Sequence, residues 1–304
     1  MLEIAIMIEG QNGLTWSRWQ KIARLVEDAG FVGLFRSDHF TNSNPPDIES
    51  LELWTSLTWL ASNTKRIEFG SLVTPFSFRH PVHTACMASA VDDLSSGRLT
   101  LGLGAGWNKR EHHLFGFDLL EPSPRFERFN EGMEVVTRLL RSDEPVTFDG
   151  QYYQLRGATL LPRPQRPGGP RILVGGNGVK RTLSYVVRYA DEWNCVMLTP
   201  QEFTGMNTKL NEMLNAAGRK PDSVRRSMMT GCIFGKDDTT LKEKIAARGK
   251  SLEQLQQDGV VAGNLNAVKE QLKKLEQVGL QRIMLQWLDL DDLESLEVLA
   301  KGVL

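Results

Sequence analysis

The sequence is poor in cysteine, has no long hydrophobic run and carries almost no net charge. Its three cysteines, Cys86, Cys195 and Cys232, form no CxxC pair, so neither a disulfide framework nor a zinc knuckle is indicated, and buried free thiols are expected. No segment approaches the roughly 18 apolar residues of a membrane span. A net charge of −1 gives no electrostatic reason to expect nucleic acid or an anionic membrane as a partner. We therefore expect a cytoplasmic protein.

Histidine is also scarce, and all five histidines precede residue 114. His80-x-x-His83 and Glu111-His112-His113 could in principle supply metal ligands. However, the first predicted strand ends without a His-x-His pair, and His80-Pro81 is typical of a helix start. We therefore expect no metal site.

What the chain does contain is a regular alternation of apolar β-rich runs and amphipathic helical stretches. The runs cover residues 3–9, 31–37, 66–73, 99–104, 171–175, 193–198, 224–234 and 281–287. Helical stretches follow near 16–29, 48–63, 81–95, 125–140, 179–190 and 200–217. Helical material also follows the seventh run up to about residue 257, the eighth run is followed by 291–301, and a further helix is expected at 266–278. Eight such alternations predict an α/β fold, a closed (β/α)8 TIM barrel forming a single domain over residues 1–304. A doubly wound open sheet is the alternative.

One stretch, residues 144–170 approximately, interrupts this alternation. Asp149-Gly150 lies between two segments of alternating hydrophobicity, which is a strong hairpin signal. The proline-rich segment 162–170 can continue neither a helix nor a strand. We expect an insertion between strands 4 and 5, made of a β-hairpin and a proline-rich loop and too short for a core of its own.

In such a barrel, the active site lies where strands pass into the loops that follow them. Polar residues and glycines collect at these ends, whereas the strand starts carry few of them, and this asymmetry predicts an enzyme. Asp38-His39 after strand 2 is the best acid/base candidate, because histidine titrates near neutral pH and the adjacent carboxylate could orient it. The alternative is an incidental histidine beside an aspartate that begins a helix.

Two glycine-rich segments lie at strand ends. Gly175-Gly176-Asn177-Gly178 precedes a helix whose start carries Lys180 and Arg181, a combination that favours phosphate binding over a simple tight turn. Gly102-Leu103-Gly104-Ala105-Gly106 could leave room for a flat ring, or could instead satisfy barrel packing. Trp107 would then be a pocket wall or a core aromatic.

Together these segments resemble the bacterial luciferase-like monooxygenase superfamily, and most closely its branch that uses the deazaflavin coenzyme F420. The matching stretches are 36–40, 70–75, 97–108, 175–178 and 189–194. The set is specific for the superfamily and much less so for the choice between F420 and FMN.

The resemblance implies roles for individual residues. His39 would be the acid/base, paired with Asp38, and Glu9 a substrate-side acid. Ser71-Leu72 would hold a non-proline cis peptide against the cofactor ring, and Thr74 a cofactor-contacting hydroxyl. Gly175, Gly176 and Asn177, with Gly178, would form the phosphate loop, and Gly106 and Trp107 would lie beside the cofactor. Trp107 stands where sugar-phosphate dehydrogenases of this group carry an acid, which argues against a sugar phosphate substrate.

Three functional hypotheses remain open from the sequence. The first is hydride transfer between coenzyme F420 and a small organic substrate, with His39 handling the proton. The second is a two-component monooxygenase that uses O2 and reduced FMN from a separate reductase. The third is a flavin-binding protein without turnover, and a metal-dependent hydrolase is a distant fourth. The family resemblance also implies a homodimer.

Overall fold

Eight parallel strands close into a barrel in this computed structural model, which describes residues 1–304. They are β1 (Glu3–Ile8), β2 (Gly33–Arg36), β3 (Glu68–Ser71), β5 (Leu99–Gly104), β8 (Arg171–Gly175), β9 (Glu192–Val196), β10 (Arg225–Phe234) and β12 (Arg282–Gln286). Each barrel strand pairs in parallel with the next in chain order, and β12 pairs with β1. The predicted closed barrel is confirmed, and the open-sheet alternative is wrong.

The remaining elements surround the barrel. The helices are α1 (Trp16–Ala29), α2 (Leu53–Asn63), α3 (Pro81–Leu94), α4 (Lys109–Phe115), α5 (Pro122–Arg141), α6 (Thr182–Tyr189), α7 (Pro200–Ala216), α8 (Asp238–Ala246), α9 (Leu252–Gln257), α10 (Leu265–Gln277) and α11 (Leu293–Val303). Short strands β4 (Thr74–Pro75) and β11 (Val261–Gly263) pair with β5 and β10. Helix α2 begins at residue 53, later than predicted, because the Glu52 carboxylate accepts a hydrogen bond from Thr55 N and caps the helix there.

Between β5 and β8 the chain forms an antiparallel hairpin of β6 (Val146–Asp149) and β7 (Gln154–Ala158). The Glu131 carboxylate on α5 accepts hydrogen bonds from the backbone N–H groups of Gln151, Tyr152 and Tyr153. These bonds attach the hairpin turn to the helix that precedes it.

The start of the barrel strands is charged, so the expectation of few polar residues there is wrong. The Arg282 side chain, 1% exposed, donates to Glu3 and Glu68 at 2.8 and 2.7 Å and lies 3.6 Å from Glu192. Arg225 contacts the same three carboxylates at 3.4–3.8 Å. Each residue alone begins a separate strand, and only barrel closure brings these charges together. Charged pairing therefore fills one end of the barrel and leaves the other end for the site.

Several expectations from the sequence concern cysteines, metal ligands and membrane-spanning segments. Cys195 and Cys232 are buried, but Cys86 is exposed, so the expectation of buried thiols is wrong for Cys86. No three His, Cys, Asp or Glu side chains are grouped to hold a metal ion. None of the helices combines the length and apolarity needed to cross a membrane.

Two large clefts lie away from the strand ends that carry His39. One, of about 510 Å³, is polar and lies at the strand starts, where Arg171 and Arg225 contribute to its lining. The other, of about 650 Å³, is apolar and lies between α1, α2 and α3, lined in part by Trp16, Trp59 and Leu94. The structure does not show what covers this groove, and the homodimer stays a prediction.

Candidate active site

His39 lies at the end of β2 and is oriented by a carboxylate distant in sequence. Its Nδ1 is 2.9 Å from Oε2 of Glu111, on α4, and that carboxylate is fully buried. Glu111 also accepts the backbone N–H of Phe40, so its position relative to the β2 loop is fixed. An ionised carboxylate can only accept, so Nδ1 carries the proton. The Nε2 atom makes no hydrogen bond within the chain and is left to act as base, or as acid once protonated.

Asp38 does not orient His39, which corrects the sequence interpretation of the Asp38-His39 pair. Its carboxylate is 4% exposed and binds both terminal nitrogens of Arg79, at 2.5 and 3.3 Å. Thr74 Oγ1 donates to the same carboxylate at 2.9 Å. Asp38 and His39 therefore have separate partners, Arg79 with Thr74 and Glu111 respectively. Thr74 is itself fully buried, and its hydroxyl supports Asp38.

Two opposing effects set the acidity of His39. Burial disfavours the imidazolium, but the hydrogen bond and charge of Glu111, with smaller contributions from Glu9 and Asp38, outweigh burial and raise the pKa of His39 above its ordinary value. Burial also raises the pKa of Asp38, against the opposing effects of Arg79 and Thr74. The imidazolium of His39 is therefore stabilised relative to that of a free histidine, which favours a role as proton donor.

Replacing Glu111 with Gln is expected to lower the pKa of His39. The substitution removes the charge and the accepting oxygen that favour the imidazolium, while the burial that disfavours it remains. A titration of the His39 ring by NMR measures this directly, with His113, which is exposed on the same helix, as the internal control. An unchanged His39 titration would show that Glu111 does not set its protonation.

Trp107 lies beside His39, and Gly106 precedes it just after the end of β5. The Trp107 indole packs edge-on against the imidazole with ring centroids 5.5 Å apart, and it is 60% exposed. Gly106 has a φ of +84°, and a Cβ there would lie 2.5 Å from Ser77 Oγ, so both the turn and its packing require glycine. Trp107 is therefore a wall of the site and not a core aromatic.

Glu9, the third predicted catalytic residue, lies in a hydrogen-bonded group at the end of β1. Its carboxylate accepts from Gln286 Nε2 at 2.6 Å and from Gln11 Nε2 at 2.8 Å. Ser37 Oγ donates to Gln11 at 2.7 Å, which links the ends of β1 and β2. Since the charge of Glu9 contributes to the raised pKa of His39, the two residues belong to one site.

The segment between β3 and β4 differs from the expectation in one detail. The non-proline cis peptide bond joins Leu72 to Val73, one residue later than the predicted Ser71-Leu72. Ser71 Oγ donates to Gly102 O and accepts from Gly102 N. A Cβ at Gly102 would collide with Ser71 O, and one at Gly104 would lie 2.6 Å from Val73. These two glycines therefore leave room for the neighbouring segment between β3 and β4, which is the barrel-packing alternative that the sequence left open. Leu72 lies partly buried against the side chains of the barrel interior.

The turn that follows Gly176 presents a row of free backbone amides. None of the backbone N–H groups of residues 177–181 donates a hydrogen bond within the chain, and α6 begins without a side-chain cap. Gly176 has a φ of +123°, which few other residues adopt. Lys180 and Arg181 belong to this stretch, and both have exposed side chains. The segment therefore fits an anionic group such as a cofactor phosphate.

Asn177 is engaged differently from the expectation. Its side chain donates to Val196 O and accepts from Val196 N, at 2.8 and 2.9 Å, and so joins the loop to the end of β9. The backbone of Asn177 is thus held in place, and its amide side chain has its partners within the protein. Any contact of Asn177 with an anion is left to its backbone N–H.

Glu111 and Arg79 are the site residues that sequence reasoning missed. Glu111 was considered only as a metal ligand, yet Asn108 followed three residues later by Glu111 is a capping pattern, and Asn108 does cap α4. That pattern could have revealed the helix but not its contact with His39. His112, considered with it, bonds Asn108 O and Ser77 Oγ through its two ring nitrogens and is a packing residue.

Comparison with known proteins shows the family of the chain. The family model described as luciferase-like monooxygenase matches residues 3–299. An F420-dependent glucose-6-phosphate dehydrogenase of Kineococcus radiotolerans is 30% identical over 70% of this chain and 62% of that protein. A 4-hydroxyprotoasukamycin monooxygenase of Streptomyces nodosus subsp. asukaensis is 34% identical over 52% of this chain and 41% of that protein.

Among solved structures, an F420-dependent secondary alcohol dehydrogenase in complex with an F420-acetone adduct superimposes with a TM-score of 0.85. The alignment covers 100% of this chain and 99% of that one at 17% identity, and it supports the fold alone. The chain spans less than two thirds of the two curated relatives described above.

Proposed function

The chain belongs to the luciferase-like monooxygenase family, and from this premise we propose that it is an F420-dependent oxidoreductase acting on a small organic substrate. Membership makes it an oxidoreductase that uses a flavin or deazaflavin. The observation that carries the finer proposal is the His39–Glu111 pair, in which a buried carboxylate orients an imidazole whose Nε2 is free. Such a pair is suited to proton transfer that accompanies hydride transfer.

Each part of the site has a role in this proposal. A bound deazaflavin supplies or accepts a hydride at its ring. The free amides of residues 177–181, with Lys180 and Arg181, would hold the cofactor phosphate. His39 would deliver a proton from Nε2 to the substrate oxygen during reduction, or remove it during oxidation. Glu111 stabilises the imidazolium in either direction, and Glu9, held by Gln286, places a second carboxylate at the same end of the barrel.

A two-component monooxygenase that uses O2 and reduced FMN is the second candidate. The observation that favours it is the 34% identity to the 4-hydroxyprotoasukamycin monooxygenase. Both candidates would use the His39 site and the same candidate phosphate loop, so they differ in cofactor and in the need for a reductase as partner. Oxygen uptake dependent on reduced FMN and a substrate would favour this second candidate.

The cofactor assignment is tested by titrating the protein with oxidised F420 and, in parallel, with FMN. We expect F420 to bind more tightly than FMN. We also expect the double variant Lys180→Ala/Arg181→Ala to weaken F420 binding at least about tenfold, because charge-assisted contacts to a phosphate are lost.

The matched control is Lys21→Ala/Arg24→Ala, which removes the same charge from exposed positions of α1. It is expected to leave the F420 affinity unchanged. Tighter binding of FMN than of F420 would favour the monooxygenase candidate. Equal loss in both double variants would contradict the phosphate-loop assignment.

A further inference from the structure

Three loops place a patch of aromatic and aliphatic side chains next to His39. Phe40 follows β2, Phe78 follows β4, and Phe117 follows α4 after β5. Their ring centroids lie 4.9–5.5 Å apart, and Phe115 joins them at 5.1 Å from Phe40. We call these four residues, with Trp107 and Leu114, the aromatic patch.

The outer members of the aromatic patch are exposed to solvent. Trp107, Leu114 and Phe115 are 60%, 53% and 52% exposed, while Phe40, Phe78 and Phe117 are partly buried. Single exposed apolar residues are ordinary, but Phe115 packs on a partly buried aromatic cluster and Trp107 packs on the neighbouring His39, an arrangement typical of a binding surface. The aromatic patch therefore has the character of a site that an apolar ligand covers.

The aromatic patch adjoins the His39 side chain. Trp107 touches the imidazole of His39, and Phe40 shares the Glu111 carboxylate with it. A molecule lying on the aromatic patch would thus have one end beside His39. This position distinguishes it from the apolar groove between α1, α2 and α3, which includes none of the site residues.

The charges around His39 disfavour an anionic substrate. Glu9, Asp38 and Glu111 place three carboxylates around the imidazole. Arg79 is bound to Asp38 and Glu52, and Arg110 on α4 is bound to Asp47 through both terminal nitrogens. Neither guanidinium is free to receive a substrate carboxylate or phosphate. An added anion would meet the repulsion of Glu9 and Glu111, while Arg79 balances the charge of Asp38.

We propose that the substrate is an uncharged molecule with an apolar carbon skeleton, bound on the aromatic patch with its reacting oxygen at His39. The reaction at that oxygen rests on the proposed function. The binding of the apolar skeleton does not depend on it. A phosphorylated sugar and other small anions are the substrate classes that it rules out.

The test measures the binding of straight-chain alkan-2-ones from four to eight carbons, and of keto acids of the same lengths, to the protein with and without oxidised F420. We expect the dissociation constant of the ketones to fall by about three- to fourfold per added methylene. The keto acids are expected to bind at least about tenfold more weakly than ketones of equal length. Phe115→Ala is expected to reduce the gain per methylene.

Leu161→Ala is the control, since Leu161 is an apolar residue that is 72% exposed in the proline-rich loop. Affinity independent of chain length, tighter binding of the keto acids, or equal effects of the two variants would overturn the inference. If Phe115→Ala changed the sedimentation coefficient of the protein and left ketone binding unchanged, the aromatic patch would instead be assigned to contact with a second copy of the chain. Because ketone binding is measured without cofactor as well, failure of F420 to bind would count against the proposed function alone.

Discussion

Replacing His39 with Gln is expected to lower the turnover rate by about 10²- to 10⁴-fold, the usual contribution of a positioned acid/base. Glutamine retains a polar side chain but cannot gain and lose a proton near neutral pH. The binding of the cofactor should change little, since the free amides of residues 177–181 lie on another loop. The measurement is a single-turnover experiment with reduced F420 and the best ketone substrate, alongside a cofactor titration of the same variant.

The pH profile separates a proton-transfer role from a structural one. In the wild-type protein the profile should contain an ionisation at the raised pKa of His39, and in Glu111→Gln that ionisation should move to lower pH. In His39→Gln it should be absent. A His39→Gln variant that keeps its ionisation, or loses less than about fivefold in rate, would remove His39 from the acid/base role.

The barrel and its strand ends could be predicted because they depend on local patterns. Helix α1 has the predicted bounds 16–29, with Thr15 capping its start and Gly30 ending it at a φ of +101°. The glycine-rich segment at 175–178 was recognisable for the same reason, since turn geometry is recorded in adjacent residues. Such signals need no knowledge of which elements meet in space.

The partners of the site residues could not be predicted because they are separated in sequence. His39 and Glu111 are 72 positions apart, and Asp38 and Arg79 are 41 apart. Adjacency in sequence suggested Asp38 as the partner of His39, but each of the two side chains binds a residue from a later loop or helix. The charged strand starts were missed likewise, because Glu3 and Arg282 become neighbours only when β12 closes on β1.

The Asp38–Arg79 pair gives the largest stability effect that we expect in the chain. Arg79→Met should lower the free energy of unfolding by about 3–5 kcal/mol, because it leaves a buried carboxylate without its partner. The side chains of Asp38 and Arg79 are only 4% and 14% exposed, so water cannot replace the guanidinium. Urea-induced unfolding of the variant at neutral pH measures the loss.

The double variant Asp38→Asn/Arg79→Met is the control, because it removes both charges together and should recover most of the lost stability. The pH dependence of the single variant gives a second check. Without Arg79, burial raises the folded-state pKa of Asp38 further above its unfolded value. Protonation then relieves the buried charge, so the loss in Arg79→Met should be small at acidic pH and grow as pH rises through that pKa. A loss independent of pH, or undiminished in the double variant, would mean that Arg79 acts through Glu52 or packing instead.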